Sequence, residues 1–389
     1  MKSLTQEELL AAAEAYYASL VDPAFQLAKP FASVDDCPAQ LANFAKLLQD
    51  GRYLPGHRVL EFGAGSCWAG RLLNQLGMAV TSLDVSASAL ALGARLAREQ
   101  PVYGRQPPHT FLRYDGVRID RPDGSVDRVF CFDAFHHVAN PEQTLREMAR
   151  VLDEGGIASF SEPGPRHSLT AESQREMRQH KVIENDVVIE ALWDAAQAAG
   201  FTDVYFSLQT EAPVRLGYEA FRSMRAQGLD DESTATLLAH VASHNRDVTF
   251  MHLVRGTPER PDSRTRDGLV GELRVASAES TRMPDGSARM RIRLDVRNPS
   301  DRTWRRSGAA RGCVNLGVHL LDRAGNRVRP DHHRHHFLAA DLAPGASSTT
   351  LLEVPIPADI DEAVLEIDLV SEHVCWFSQN GSPVLHLRP

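Results

Sequence analysis

The segment Val59-Leu60-Glu61-Phe62-Gly63-Ala64-Gly65-Ser66-Cys67-Trp68 is an apolar, branched run that breaks into two glycines and then into a helical pattern. Val59 to Phe62 reads as a buried strand, and the glycines let the backbone turn sharply and approach a ligand closely. A dinucleotide fingerprint would place a third glycine where Trp68 stands, and no GK[ST] follows to cradle phosphates. The turn is open to a ligand but is not a phosphate cradle. Asp84 closes the next apolar run, 19 residues after Gly65. A parallel strand would set it beside the turn, at the carboxyl edge of the sheet.

Working outward, Ala79 to Leu83, Thr110 to Arg113, Val126 to Phe132, Ile157 to Phe160, Thr202 to Leu208 and Val248 to Val254 are further short runs that alternate with helical segments. Alternation of this kind predicts an α/β fold: a Rossmann-like, mainly parallel seven-stranded sheet covered on both faces by helices. Asn140-Pro141 starts one of those helices, Leu145, Met148, Ala149 and Leu152 form its apolar face, and Gly155-Gly156 stops it. Residues 1–54 read as an N-terminal helical segment and 55–256 as the α/β domain. Gly217 to His244 is helical by periodicity, part of an insertion over about 212–246. Residues 257–267 are polar and contain prolines, which predicts a linker.

The strand ends define a rim. Asp84 there could accept hydrogen bonds from both hydroxyls of a ribose, and Asp115, in Tyr114-Asp115-Gly116, could accept from an adenine amino group unless it only starts a loop. The fourth strand ends in Phe132-Asp133-Ala134-Phe135-His136-His137, an acid followed by two histidines.

With these residues in place, residues 55–255 or so resemble the class I S-adenosylmethionine-dependent methyltransferases. The resemblance rests on Glu61-Phe62-Gly63-Ala64-Gly65, Asp84, Asp115, the segment Asp127 to His137, and Asn140 to Gly156 followed by Ser161-Glu162-Pro163-Gly164, in that order. It implies S-adenosyl-L-methionine as cofactor. Glu61, Gly63, Ala64, Gly65, Asp84, Val85, Asp115, Gly116 and Asp133 would surround it. Trp68 and Asp127 read as packing and turn residues instead.

Methyl transfer from a sulfonium requires alignment of nucleophile, methyl and leaving sulfur in a dry site, and a hydroxyl acceptor usually also needs a base. His137 is the first candidate and His136 the second, because histidine titrates near neutrality. Glu162 and His167 follow the fifth strand and are expected to face the same crevice. His180, Glu184, Asn185 and Asp186 could form an acceptor wall or a solvated helix end.

Residues 268–389 change to an all-β pattern. Arg289 to Val296 alternates charged and apolar residues, and Val314 to Leu321, Thr349 to Val354 and Val364 to Leu369 are further strands between turn signals, which predicts an immunoglobulin-like sandwich. Asn298-Pro299-Ser300, Leu316-Gly317-Val318, Leu342-Ala343-Pro344-Gly345 and Val374-Cys375-Trp376-Phe377 resemble the C-terminal β-sandwich of O-antigen exporter ATPases, which recognises glycan. That resemblance implies a glycan-binding role. Trp304 and Trp376 are the residues to weigh, either as sugar platforms or as core. The run Asp331-His332-His333-Arg334-His335-His336 reads as a solvated or acceptor-facing loop, since its spacing does not suit a closed zinc site. No metal site is expected.

Of the net charge of −9, residues 267–389 carry −1, from 15 Arg against 16 Asp+Glu, so residues 1–266 carry −8. Neither part has the basic excess of a nucleic-acid binder. Only four lysines occur, and arginine-rich coding of this kind suggests a bacterial source. No run reaches the roughly 18 apolar residues of a membrane span, and Glu7, Glu8 and Glu14 do not suit a signal peptide, so a cytoplasmic location is expected. The 5 cysteines, never in CxxC pairs, read as isolated buried thiols. The expected function is O-methylation of a sugar hydroxyl in a glycan or glycosylated precursor, with a glycan or small-molecule hydroxyl as the acceptor class. The alternatives are a secondary-metabolite methyltransferase and a non-catalytic glycan-binding protein. The oligomeric state is open.

Overall fold

A computed structural model describes residues 5–101, 104, 106–208, 215–258, 260–360 and 362–389. The chain divides into two compact units, one up to residue 259 and one from residue 260. The first opens with three helices, α1 (Gln6–Ala18), α2 (Ala24–Ala28) and α3 (Cys37–Asp50). Thr5 and Glu8 form a reciprocal capping box that fixes the start of α1.

Strands β1 (Arg58–Phe62), β2 (Ala79–Asp84), β3 (His109–Arg113), β4 (Val126–Phe132), β5 (Leu152–Pro163), β6 (Asp203–Phe206) and β7 (Val248–Val254) form one sheet in the order β3-β2-β1-β4-β5-β7-β6. The first five are parallel, and β7 runs antiparallel to both β5 and β6. Helices α4 (Trp68–Gln75), α5 (Ala87–Glu99), α6 (Pro141–Val151), α7 (Ala171–His180), α8 (Ile189–Ala199), α9 (Tyr218–Gln227) and α10 (Asp231–Asp247) lie between them.

Successive strand residues point to opposite faces, and the core divides accordingly. Leu60 and Val129 pack with Leu145 and Met148 of α6, whereas Val59 and Phe130 pack with Phe44 and Leu47 of α3 and Leu73 of α4. Each fully buried side chain of this type stabilises by about 1.5–3 kcal/mol. Both faces are covered, so the carboxyl rim of the parallel strands is where backbone and side chains remain free for a ligand.

Some expectations change. The run at 202–208 is a strand only from Asp203 to Phe206. The expected insertion contains α9 and α10, and its residues 212–214 lie outside the described residues. Strand β5 starts at Leu152, so Gly155, with φ +77°, bends the beginning of a strand instead of ending a helix. The polar stretch read as a linker is partly core. Asp262, Ser263 and Arg264 are buried in the second unit, Arg264 pairs with Asp262 at 2.7 Å, and the Ser263 hydroxyl donates to the Gly312 carbonyl at 2.6 Å. Composition misled because the two charges neutralise each other out of sight of solvent. Four of the five cysteines are buried and free; Cys37 is half-exposed.

The second unit consists of two antiparallel sheets around one core. One contains β10 (Val314–Leu321), β11 (Arg327–His335), β13 (Val364–Ser371), β14 (Cys375–Trp376) and β15 (Leu385–Leu387); the other contains β8 (Glu272–Arg282), β9 (Ala288–Arg297) and β12 (Ser347–Ile356). On β9, Met290, Ile292, Leu294 and Val296 enter the core while the alternating arginines stay outside. The histidine run is strand, not loop: it ends β11, where His332 Nε2 bonds the Pro355 carbonyl and His335 Nε2 meets Thr350 Oγ1. Trp304 is fully buried and meets Phe377 edge-on at 5.1 Å. Trp376 lies against Gly317, where any Cβ would strike the indole, with the Arg334 guanidinium over its ring at 4.4 Å and the His319 ring tilted against it at 4.3 Å.

Candidate active site

The glycine turn between β1 and α4 is tied to the end of β2 through Asp84. Its Oδ2 accepts from the Gly65 amide and its Oδ1 from the Ser86 amide, both at 2.8 Å. Gly63 (φ +67°) and Gly65 (φ +52°) adopt a left-handed backbone that favours glycine. A Cβ on Gly63 would also collide with Ala134, and one on Gly65 would come 2.7 Å from the Tyr17 hydroxyl. Burial pushes the Asp84 carboxyl up, against the amides of Ser86 and Gly65. A carboxylate has about four lone-pair sites, so these two amides leave room for a hydroxyl donor.

This rim opens on a cavity of about 390 Å³. Of the residues expected to hold a nucleoside, Gly63, Gly65, Asp84, Val85, Gly116 and Asp133 line it, and His137, the first candidate base, lines it too. Leu9, Leu10 and Ala13 of α1 form its apolar wall. Glu14 holds that helix against the start of α5 by accepting from the Ser86 hydroxyl (2.8 Å) and from the Ser88 hydroxyl and amide (2.5 and 3.2 Å).

Glu61, Ala64 and Asp115 are not brought to the cavity wall. Ala64 is buried, and Asp115 Oδ1 accepts the amides of Val117 and Arg118 at 2.8 Å, which makes it a turn residue. Glu61 is buried under α4, where it accepts from the Gly70 amide at 2.8 Å and the Ser82 hydroxyl. Burial pushes its carboxyl up to about 7, against those hydrogen bonds. Folding therefore favours the protonated acid. The stability this gives is complete below the ordinary value of 4.5 and is lost as pH rises through about 7. Glu61→Gln, which stays neutral, is expected to melt at least about 2 °C above the natural protein at pH 8 and level with it near pH 4.5. Equal melting at both pH values would show that the carboxylate ionises where it lies.

The histidines form a network instead of a row of bases. His136 is buried, and its Nδ1 donates to Glu162 Oε2 at 2.8 Å. Glu162 also accepts the amides of Ala134, Phe135 and His136, so it is a buried anchor for the turn after β4 and does not face the crevice as expected. Glu184 gathers the other side: its Oε2 lies 2.7 Å from His167 Nε2 and 3.8 Å from His136 Nε2, and its Oε1 lies 3.6 Å from His137 Nδ1. His137 Nδ1 donates to the Ile183 carbonyl at 2.6 Å, which leaves Nε2 as the lone-pair nitrogen.

Burial opposes charge on His136, but the Glu162 hydrogen bond and charge outweigh it and hold its pKa above the ordinary value. Burial, then the charge of His136, push His137 below it. Two adjacent histidines are thus driven apart, one toward imidazolium and one toward neutral imidazole. His136, His137 and Glu184 also have the spacing of a metal-ligand set, with ligand atoms within 4.8 Å of one another. Hydrogen bonds to His167 and to the Ile183 carbonyl already engage Glu184 and His137, and the group is read here as a proton network.

Tyr16, Tyr17, Gln26 and Lys29 also line the cavity and were not expected there. Helical spacing marks Tyr16 and Tyr17 as buried but cannot show that a cavity lies beneath them. Lys29 carried one usable signal, being one of four lysines in an arginine-rich chain. Gln26 is buried, and among the described residues its Oε1 has no hydrogen-bond partner, an unmet acceptor of the kind a bound molecule would satisfy. Together the open turn, the spare valence of Asp84 and this orphaned oxygen fit an adenosyl amino acid.

Residues 60–160 match the family model described as a methyltransferase domain. A demethylmenaquinone methyltransferase of Renibacterium salmoninarum is 32% identical over 124 residues, which are 31% of this chain and 48% of that protein. A ubiquinone biosynthesis O-methyltransferase of Xanthomonas campestris pv. campestris is 29% identical over 108 residues, 28% of this chain and 44% of that one. The chain spans about half the length, or less, of these curated relatives. A solved S-adenosylmethionine-dependent methyltransferase from Mesorhizobium loti is 18% identical with a TM-score of 0.41, over 56% of this chain and 98% of that one.

Proposed function

We propose that this chain is an S-adenosylmethionine-dependent methyltransferase that methylates a hydroxyl of a neutral, hydroxyl-rich acceptor, a small molecule or the end of a glycan. The observation that carries the reading is that the glycine turn, Asp84 and His137 open on one cavity. The family match over residues 60–160 supports the methyltransferase class, and the O-methyl transfer in the Xanthomonas relative's name is of the proposed kind.

When bound, the cofactor supplies an electrophilic methyl group on a sulfonium. Gly63, Gly65, Asp84, Val85 and Gly116 would hold its nucleoside. His137, kept neutral and oriented through Nδ1, takes the proton of the acceptor hydroxyl at Nε2, and the Glu184 carboxylate steadies the imidazolium that results. Val138 and Ile183 border the same space and exclude water.

Glu176 and Glu184, which line the same cavity, accept hydrogen bonds from hydroxyls and repel anions. The second unit adds no support for glycan binding through tryptophan, because Trp304 is core and Trp376 is already packed against Gly317, Arg334 and His319.

The test is to incubate the full-length protein with methyl-tritiated S-adenosylmethionine and an extract of its native cells. Base-stable label in neutral sugars or polyols is expected, since a methyl ether survives alkali. Label lost on mild alkali would indicate a carboxylate ester and contradict the reading. Label in no fraction would favour a binding protein on this scaffold.

A further inference from the structure

Gln26 lies in α2 and Lys29 is the residue that caps its end, three positions on, a spacing that puts two side chains on one side of a helix turn. Both line the cavity. Each lacks what its chemistry requires. Gln26 is 7% exposed, and among the described residues its Oε1 has no donor and its Nε2 makes a long bond of 3.4 Å to the Tyr16 hydroxyl. Among the described residues Lys29 is the one lysine or arginine that lines the cavity, and its ammonium lies 6.0 Å from the centre of the Phe25 ring. Burial pushes its ammonium pKa down while the charges of Asp133 and Asp36 hold it up. The Ser66 hydroxyl donates to the Gln26 carbonyl at 2.9 Å, which fixes α2 over the loop after Gly65.

An unmet acceptor beside an unmet cation calls for a group that offers N–H donors and a carboxylate together. We propose that Gln26 and Lys29 form a clamp for an α-amino-acid group, with Lys29 taking the carboxylate and Gln26 Oε1 the ammonium. This rests on the cofactor reading above, which makes the bound group the amino-acid end of the cofactor. Asp133, which faces the same cavity, is a second acceptor for the ammonium. The four carboxylates that line the cavity, Asp84, Asp133, Glu176 and Glu184, would otherwise repel any anion. Lys29 is the residue that lets a carboxylate enter.

The clamp is tested by calorimetric titration of the full-length protein with two probes. S-adenosylhomocysteine carries the amino acid, and 5′-methylthioadenosine has the same nucleoside and sulfur without it. Lys29→Met is expected to weaken S-adenosylhomocysteine by on the order of 10- to 100-fold and Gln26→Met by about 10-fold, the range for one hydrogen bond to a charged group. Both variants should leave 5′-methylthioadenosine within about twofold, and Lys29→Arg should restore most of the loss. Equal weakening of both probes would make these residues structural and overturn the clamp. Unchanged S-adenosylhomocysteine affinity in Lys29→Met would overturn it as well. If the natural protein binds 5′-methylthioadenosine but not S-adenosylhomocysteine, the clamp fails while the nucleoside site stands; if it binds neither, the cofactor reading fails and the clamp with it.

Discussion

Asp84→Ala is expected to weaken S-adenosylhomocysteine binding by on the order of 100-fold. Two hydrogen bonds from hydroxyls to a buried carboxylate contribute about 1.5 kcal/mol each, and about 3 kcal/mol corresponds to that factor. The substitution also releases the amides of Gly65 and Ser86, so the glycine turn loses its tie to the end of β2. Both effects act on one ligand, and calorimetry reads their sum. Asp84→Asn separates them: its amide oxygen can keep one backbone bond while the charge is gone, so an intermediate loss is expected. If Asp84→Ala binds within about threefold of the natural protein, Asp84 serves the turn and not the ligand.

His137→Ala should act on turnover alone. General-base catalysis contributes about 10²–10⁴-fold, so turnover is expected to fall at least about 100-fold while S-adenosylhomocysteine affinity stays within about twofold. The pH profile gives a second reading. His137 must be neutral to accept a proton, and burial and His136 lower its pKa from 6.5. Turnover should therefore be flat around neutral pH and fall only as pH drops below the ordinary histidine range. The variant's residual activity should lack that acid limb. Equal loss of affinity and turnover would assign His137 a structural part.

The sheet was legible because strand and helix periods are local properties of the chain. Val59 to Phe62, Val126 to Phe132 and the runs between them keep their type whatever surrounds them, and β1, β2, β4 and β7 lie close to where patterning puts them. The rim followed from the same logic, since a residue at the end of a parallel strand has few places to go. Direction did not follow. Glu61 and Asp84 are both acids near the glycine turn, and the strand register puts them on one face of the sheet, yet Glu61 lies within β1 beneath α4 whereas Asp84 is the last residue of β2 and reaches the cavity.

Long-range contacts were hidden too. Glu162 sits among the amides of 134–136, and Glu184 meets histidines 17 to 48 residues away, separations that no spacing rule covers. In the second unit, the polar runs at 261–264 and 331–335 were misassigned for one reason: their charges and rings are satisfied by partners elsewhere, Asp262 by Arg264 and His332 by the Pro355 carbonyl. Polarity reported solvent where the fold supplies a partner.

Titrating S-adenosylhomocysteine into the unmodified full-length protein shows whether the cavity at the rim takes the adenosyl cofactor. Saturable one-to-one binding in the micromolar range, displaced by S-adenosylmethionine, is expected. No heat and no thermal stabilisation at millimolar ligand would contradict it.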